Sequence, residues 1–293
     1  MNEIAVACTD LDAAIDFYTD ALGFRLDMIM PADAPRLAVM SGHGVAVRLE
    51  AGEPRGHAPG RAGMIYCDLI PGRLGGRFIA SHIRIPDGGP VPDYVHYHRV
   101  GFQAIFCRRG WVRVVYEDQG PPFVMHEGDC VLQPSEIRHR VLEASPGLEV
   151  IEVSAPAEHE TWREHDLELP NSKLCPERLF GGQRFVRHVA KGAVWQRDPA
   201  GGFEFRDTGI AAATDGFASV RVLRALSPVQ GLQNGEFLFL YVLEGGITLR
   251  GTWGTRVMAA DDACVVPKSA EYAIEATTTC EVLEVRLPSE MAG

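Results

Sequence analysis

Three histidines stand at spacings that suit a shared task. His96 and His98 form an H-x-H pair on an expected strand. Residues i and i+2 of a strand share a face, so both imidazoles can point at one centre. Gln103 follows five residues after His98, and Gly110 seven after Gln103. A second run, Gly128, Pro134 and His139, brings a third imidazole from another strand. Three neutral imidazoles and one amide oxygen converging inside a barrel would hold a first-row divalent metal. The histidine distribution agrees: all 10 lie between His43 and His188, and the last 105 residues contain none.

The elements around these residues read as β-structure. Residues 64–155 contain many short apolar runs punctuated by Gly and Pro, among them FIASHIRI, FQAIFCR, WVRVVY and CVLQP. Such spacing belongs to an all-β sandwich or barrel. Residues 187–293 return to short strands, and the two blocks echo each other. FQAIFCRRGWVRV resembles LFLYVLEGGITLR, GDCVLQPSEIRH resembles DDACVVPKSAEY, and LEVIEV resembles CEVLEV. This is an internal duplication. Aligning Gly245 with Gly110 puts Gly231 and Gln233 at the two histidine positions of the pair and Leu238 at that of Gln103. Aligning Pro267 with Pro134 puts Tyr272 at the third histidine. The second block is therefore expected to be metal-free.

Residues 1–52 read as strand, helix, strand, strand, with Asp10 capping the helix and Gly23 ending it. Residues 53–63, GEPRGHAPGRA, read as a linker. Residues 156–186 are polar, with a helix expected over AEHETWREHDL. The expected division is thus 1–52, a small module; 53–63, linker; 64–155, the metal-binding barrel; 156–186, a linking helix and loop; 187–293, the metal-free barrel.

Strand alternation turns Tyr94, Ile105, Cys107 and Val141 inward with the histidines. Tyr94 could then donate a hydrogen bond to substrate, and Cys107 reads as a small buried hydrophobe. Arg84 would suit a substrate carboxylate if it faces inward, and is otherwise a surface charge. Arg138 and Arg140 should point away from His139. His159 and His165 sit six apart on the expected helix, off a common face, and so do not form a metal pair.

The two histidine motifs resemble those of the cupin superfamily. Residue by residue the resemblance implies His96, His98 and His139 as metal ligands, with Gln103 where the family usually has Glu. Glu136 stands where the family has Gly, and its final Asn is absent. The resemblance implies a jelly-roll fold. A neutral Gln leaves a divalent site at +2 where a carboxylate would leave about +1, favouring an anionic chelating substrate. Three-histidine cupins lacking the Glu are similar to iron oxygenases acting on diketones, hydroxylated aromatic acids and thiols. TDLDAAIDFYTDALGFRL, with the strands that follow it up to Glu50, is similar to one βαβββ module of the glyoxalase/vicinal-oxygen-chelate superfamily. That superfamily pairs two modules around a metal, its ligand positions falling near Glu3 and at Glu50.

The fold expected is mainly β: two tandem jelly-roll (cupin) barrels preceded by a small βαββ-type α+β module. The function expected is a mononuclear non-haem Fe(II) dioxygenase cleaving a small bidentate oxygen chelator, either a diketone or a hydroxylated aromatic acid. Gln103, Tyr94 and Arg84 would attend the substrate, and Gln103 would tune or ligate the metal. One alternative is a redox-neutral isomerase, lyase or hydrolase using Zn, Ni or Mn as a Lewis acid. The other is a non-enzymatic small-molecule binding protein. No organic cofactor is expected. A net charge of −11 argues against nucleic acid as partner. No apolar run suits a membrane span, and the N-terminus lacks the basic start of a secretory signal. Seven scattered cysteines without a CxxC pair suit a reducing cytoplasm. A homodimer is expected.

Overall fold

The computed structural model describes residues 3–52, 61–199, 201–225 and 228–287. The expected 53–63 linker lies outside the described residues up to residue 60, and Arg61–Gly63 form a single 3₁₀ turn.

The N-terminal module begins with strand Glu3–Cys8 and helix Leu11–Asp16. Asp10 caps this helix, its Oδ1 accepting from the Ala13 amide at 3.0 Å. One wider turn, Phe17–Ala21, continues it to Gly23, whose φ of +70° suits glycine. Three strands follow, not the two expected: Arg25–Met30, Leu37–Gly42 and Val45–Ala51. The first was hidden because its register with Leu37–Gly42 shifts between Leu26 and Met28. Such a bulge breaks the two-residue alternation that marks a strand in sequence. Glu3–Cys8 pairs in parallel with Val45–Ala51, closing the order first-fourth-third-second.

This sheet runs on into the first barrel. Thr161–Arg163 pairs on one side with Met28 and Ile29, and on the other with His96–His98. The expected helix over 157–167 is therefore not formed. Its centre is a strand, because Thr161 and Trp162 are good strand formers and find backbone partners on both sides. His139–Ala144, Trp111–Tyr116 and Phe123–His126 complete that sheet. The facing sheet orders Val186–His188, Cys130–Leu132, Phe102–Arg109, Leu148–Ala155, Ile79–Ile85 and Ile65–Asp68. Ile83, Val112, Val114, Met125 and Val131 fill the space between them.

The second block forms a six-stranded sheet facing a four-stranded one, with Leu238, Leu240, Val242, Ile247 and Leu249 in its core. The outer faces of the two six-stranded sheets share one apolar cluster, with Phe78 stacked on Phe237 at 4.2 Å. That explains why strand Phe237–Glu244, FLFLYVLE, is apolar without alternation: both faces are covered. Among the described residues no helix is long and apolar enough to cross a membrane.

Candidate metal centre

His96 and His98 lie on strand His96–His98, and His139 opens strand His139–Ala144, directly across from His96 in the antiparallel register. All three are buried, at 1%, 6% and 5% exposure. Their rings converge, with centroids 5.2 Å apart for His96–His98, 4.2 Å for His96–His139 and 5.3 Å for His98–His139. One nitrogen from each lies within 4.8 Å of the others.

The backbone fixes which nitrogen is offered. His96 Nδ1 donates to the Tyr94 carbonyl at 2.8 Å, and His139 Nδ1 to the Ile137 carbonyl at 3.0 Å. A carbonyl only accepts, so both Nδ1 atoms carry a proton, and in the neutral ring it is Nε2 that offers the lone pair. Thr161 Oγ1 sits 2.9 Å from His98 Nδ1 and holds that ring in place, a hydroxyl being able to donate or to accept. Outer hydrogen bonds of this kind orient imidazoles for a metal. Three buried imidazoles, each held through Nδ1, fit a divalent first-row ion.

Across the barrel stands a polar row. Gln133 Nε2 donates to Gln103 Oε1 at 3.1 Å and approaches His139 Nε2 at 3.4 Å. Gln133 Oε1 accepts from the Tyr116 hydroxyl at 2.5 Å. Burial pushes the Tyr116 phenol above its ordinary range, so it stays a donor, and its ring stacks on His139 at 5.5 Å. Ser154 Oγ donates to Glu152 Oε1 at 3.3 Å. His159 closes another side, its ring 5.4 Å from that of His98 and its Nδ1 donating to the Pro156 carbonyl at 3.0 Å. Burial lowers the pKa of His159 below 6.5, which favours the neutral ring at pH 7.

The three histidines, Gln133, Tyr116, Glu152 and His159 line a cavity of about 90 Å³, the rest of whose wall is mostly aliphatic. The N-terminal module reaches it through Ala32 and Asp33, and Asp33 is paired with Arg73. Among the described residues no Arg or Lys lines it.

Several expectations need correction. Arg84 does not face the cavity: Ser81, Ile83 and Ile85 of its strand do, which turns Arg84 to the exposed side. Tyr94 does not present its hydroxyl to the cavity either. The strand starts at His96, so alternation does not extend back to Tyr94, whose half-buried ring lies between Arg163 and the edge of the His96 ring and is not part of the cavity wall. Tyr94 serves the site through its carbonyl. Gln103 is buried at 1% but engages Gln133 and is not among the cavity-lining residues. His159 was misplaced on the expected helix. Cys107 is buried as expected, and burial, with Asp129 and Glu127 nearby, pushes its thiol up to about 12. Gln133, Tyr116, Glu152 and His159 were missed as site residues. Gln133 had a signal beside Pro134 of the second motif, and Glu152 had one in the repeated LEVIEV/CEVLEV. In the N-terminal module, Arg48 bridges Glu3 and Glu50 at 3.6 and 2.8 Å, an exposed ion pair.

The family model for the Glyoxalase/Bleomycin resistance protein/Dioxygenase superfamily matches residues 1–117, less than half of the chain. No curated protein matches the chain by sequence. Among solved structures, oxalate decarboxylase from Bacillus subtilis is similar at TM-score 0.56 and 11% identity, covering 77% of this chain and 72% of that one. Its Mn(II) centres have been characterised. The formate complex of Lactobacillus farciminis oxalate decarboxylase gives TM-score 0.56 and 11% identity, covering 77% and 81%. A variant of salicylate 1,2-dioxygenase from Pseudoaminobacter salicylatoxidans gives TM-score 0.52 and 16% identity, covering 72% and 70%. At these identities the likeness is one of fold: a mainly β chain of several sheets that resembles the bicupin oxalate decarboxylases.

Proposed function

We propose that this chain is a mononuclear metal-dependent oxygenase that cleaves a small substrate chelating through two oxygens. The observation that carries this reading is the buried triad His96, His98 and His139, with Nδ1 of each ring anchored. These three would hold Fe(II). The metal, when bound, would supply the redox chemistry that dioxygen needs.

The protein's own residues do the rest. With three imidazoles and no carboxylate among the proposed ligands, the site would keep the full charge of a divalent ion and would draw the substrate in as an anion. Gln103 acts through Gln133, fixing the amide that faces His139; we assign it a positioning role. Tyr116 holds the other end of that amide. The aliphatic wall excludes water from the substrate. In the overall reaction both atoms of dioxygen enter the substrate as one carbon–carbon bond breaks. The substrate supplies the electrons, so no separate reductant is required.

The fold likeness to the oxalate decarboxylases favours one second reading, a redox-neutral lyase holding Mn(II). Oxygen uptake separates the two. Fe(II)-loaded protein given acetylacetone should consume dioxygen, and His139→Ala should not. Turnover of a chelator by the Mn(II) form without oxygen uptake would favour the lyase.

A further inference from the structure

Four imidazoles line the cavity, and the metal reading uses three of them. The fourth, His159, lies in the turn between strands Leu148–Ala155 and Thr161–Arg163. It is 8% exposed, and its ring stands nearly perpendicular to that of His98 at 5.4 Å. It lies outside the group of three whose nitrogens converge within 4.8 Å.

The turn fixes how this ring is presented. Its Nδ1 donates to the Pro156 carbonyl at 3.0 Å, so in the neutral ring Nε2 is an acceptor. Among the described residues no group hydrogen-bonds Nε2. The charged groups that act on His159 are Asp33 and Arg73, and these pair with each other. A buried acceptor without a donor carries a desolvation cost, which a bound molecule can relieve by supplying the donor.

We infer that His159 contacts the substrate and sets its specificity, Nε2 accepting a hydrogen bond from an O–H or N–H of the substrate. Because the ring packs on that of His98, the donor belongs close to the chelating oxygens and not at the end of a tail. The substrate class is then a compact oxygen chelator with a hydrogen-bond donor on an atom of, or next to, its chelating unit. A diketone flanked only by carbon binds more weakly, since it leaves Nε2 unpaired. This rests on the reading of the triad as a metal site.

The test titrates Co(II)-loaded protein with two hydroxamates, read by the visible spectrum of the metal. Acetohydroxamate and N-methylacetohydroxamate chelate through the same two oxygens, and the second has a methyl where the first has N–H. Wild type should bind acetohydroxamate about tenfold tighter. His159→Phe keeps a ring and loses the acceptor. His159→Asn keeps a donor for the Pro156 carbonyl and withdraws Nε2. Both variants should hold Co(II) as tightly as wild type, with a melting temperature near it, and should bind the two probes within about twofold of each other. Equal binding of the probes by wild type would overturn the inference. So would a preference that persists in both variants, which is steric, or a loss of Co(II) affinity in folded variants, which makes His159 a ligand. These outcomes leave the metal site standing. Failure of Co(II) to bind wild type would overturn both.

Discussion

The two barrels share a strand plan and differ in what fills them. In the first, His96 faces His139 across the antiparallel register; in the second, Gly231 faces Tyr272 at the matching place. A Cβ on Gly231 would come within 2.6 Å of the Tyr272 ring. The glycine is thus the space that the tyrosine occupies. Tyr272 in turn accepts from Arg286 at 2.7 Å, tying it to the Arg221–Glu284–Arg286 group. Where the first barrel keeps polar groups around a void, the second closes the same region with a tyrosine and an ion network. On the proposed reading, one scaffold serves as a site and the other as its support.

That contrast can be attacked by substitution. Glu284 is 2% exposed; burial opposes its charge, but hydrogen bonds and charge from Arg286 and Arg221 hold its carboxyl below the usual range. Glu284→Ala should leave two part-buried arginines without their partner and cost about 3–5 kcal/mol in thermal or urea unfolding. Glu152→Gln, at the equivalent position, should change stability by less than about 1 kcal/mol. Equal losses at the two positions would break the division of labour.

Gly231→Ala forces an added methyl into the Tyr272 ring, with an expected cost of about 1–3 kcal/mol. In a Tyr272→Ala background the cost should largely vanish. A double-mutant cycle measures this coupling. Thr161→Val removes the anchor of His98 Nδ1, and metal affinity by competition with a chelator should fall about 10–100-fold.

The smallest effect concerns the junction of the barrels. His188 pairs across from Cys130, and burial, with Arg206 nearby, lowers its pKa below 6.5. The unfolded chain takes up that proton near pH 6.5 while the folded chain resists it. Stability from this group is therefore present above pH 6.5 and lost as pH falls below it. His188→Gln should flatten the fall in melting temperature between pH 7 and pH 5.

Much of this was legible in the sequence, for physical reasons. The triad could be read because a strand's two-residue period dictates which imidazoles share a face. The degenerate barrel could be read because the duplication aligned Tyr272 with His139 and Gly231 with His96. Failures came where local pattern yielded to pairing. Strand Arg25–Met30 was obscured by a bulge, and residues 157–167 suited a helix until Thr161 found strands on both sides. That second misreading also hid His159, whose place beside His98 depends on a chain path and not on spacing. Tyr94 was turned inward because alternation was carried past a strand's start, and Arg84, whose face was left open, lies on the exposed side. Glu152 faces the cavity from a strand of the opposite sheet and Gln133 from just past the end of another, a relation no local window contains.

The central claim is that the first barrel holds one metal ion on three histidines and the second holds none. Anaerobic expression followed by metal analysis of wild type and His96→Ala tests it most directly. The account expects about one transition-metal ion per chain in wild type and a near-complete loss in the variant. Two ions per chain, or one that survives His96→Ala, would contradict it.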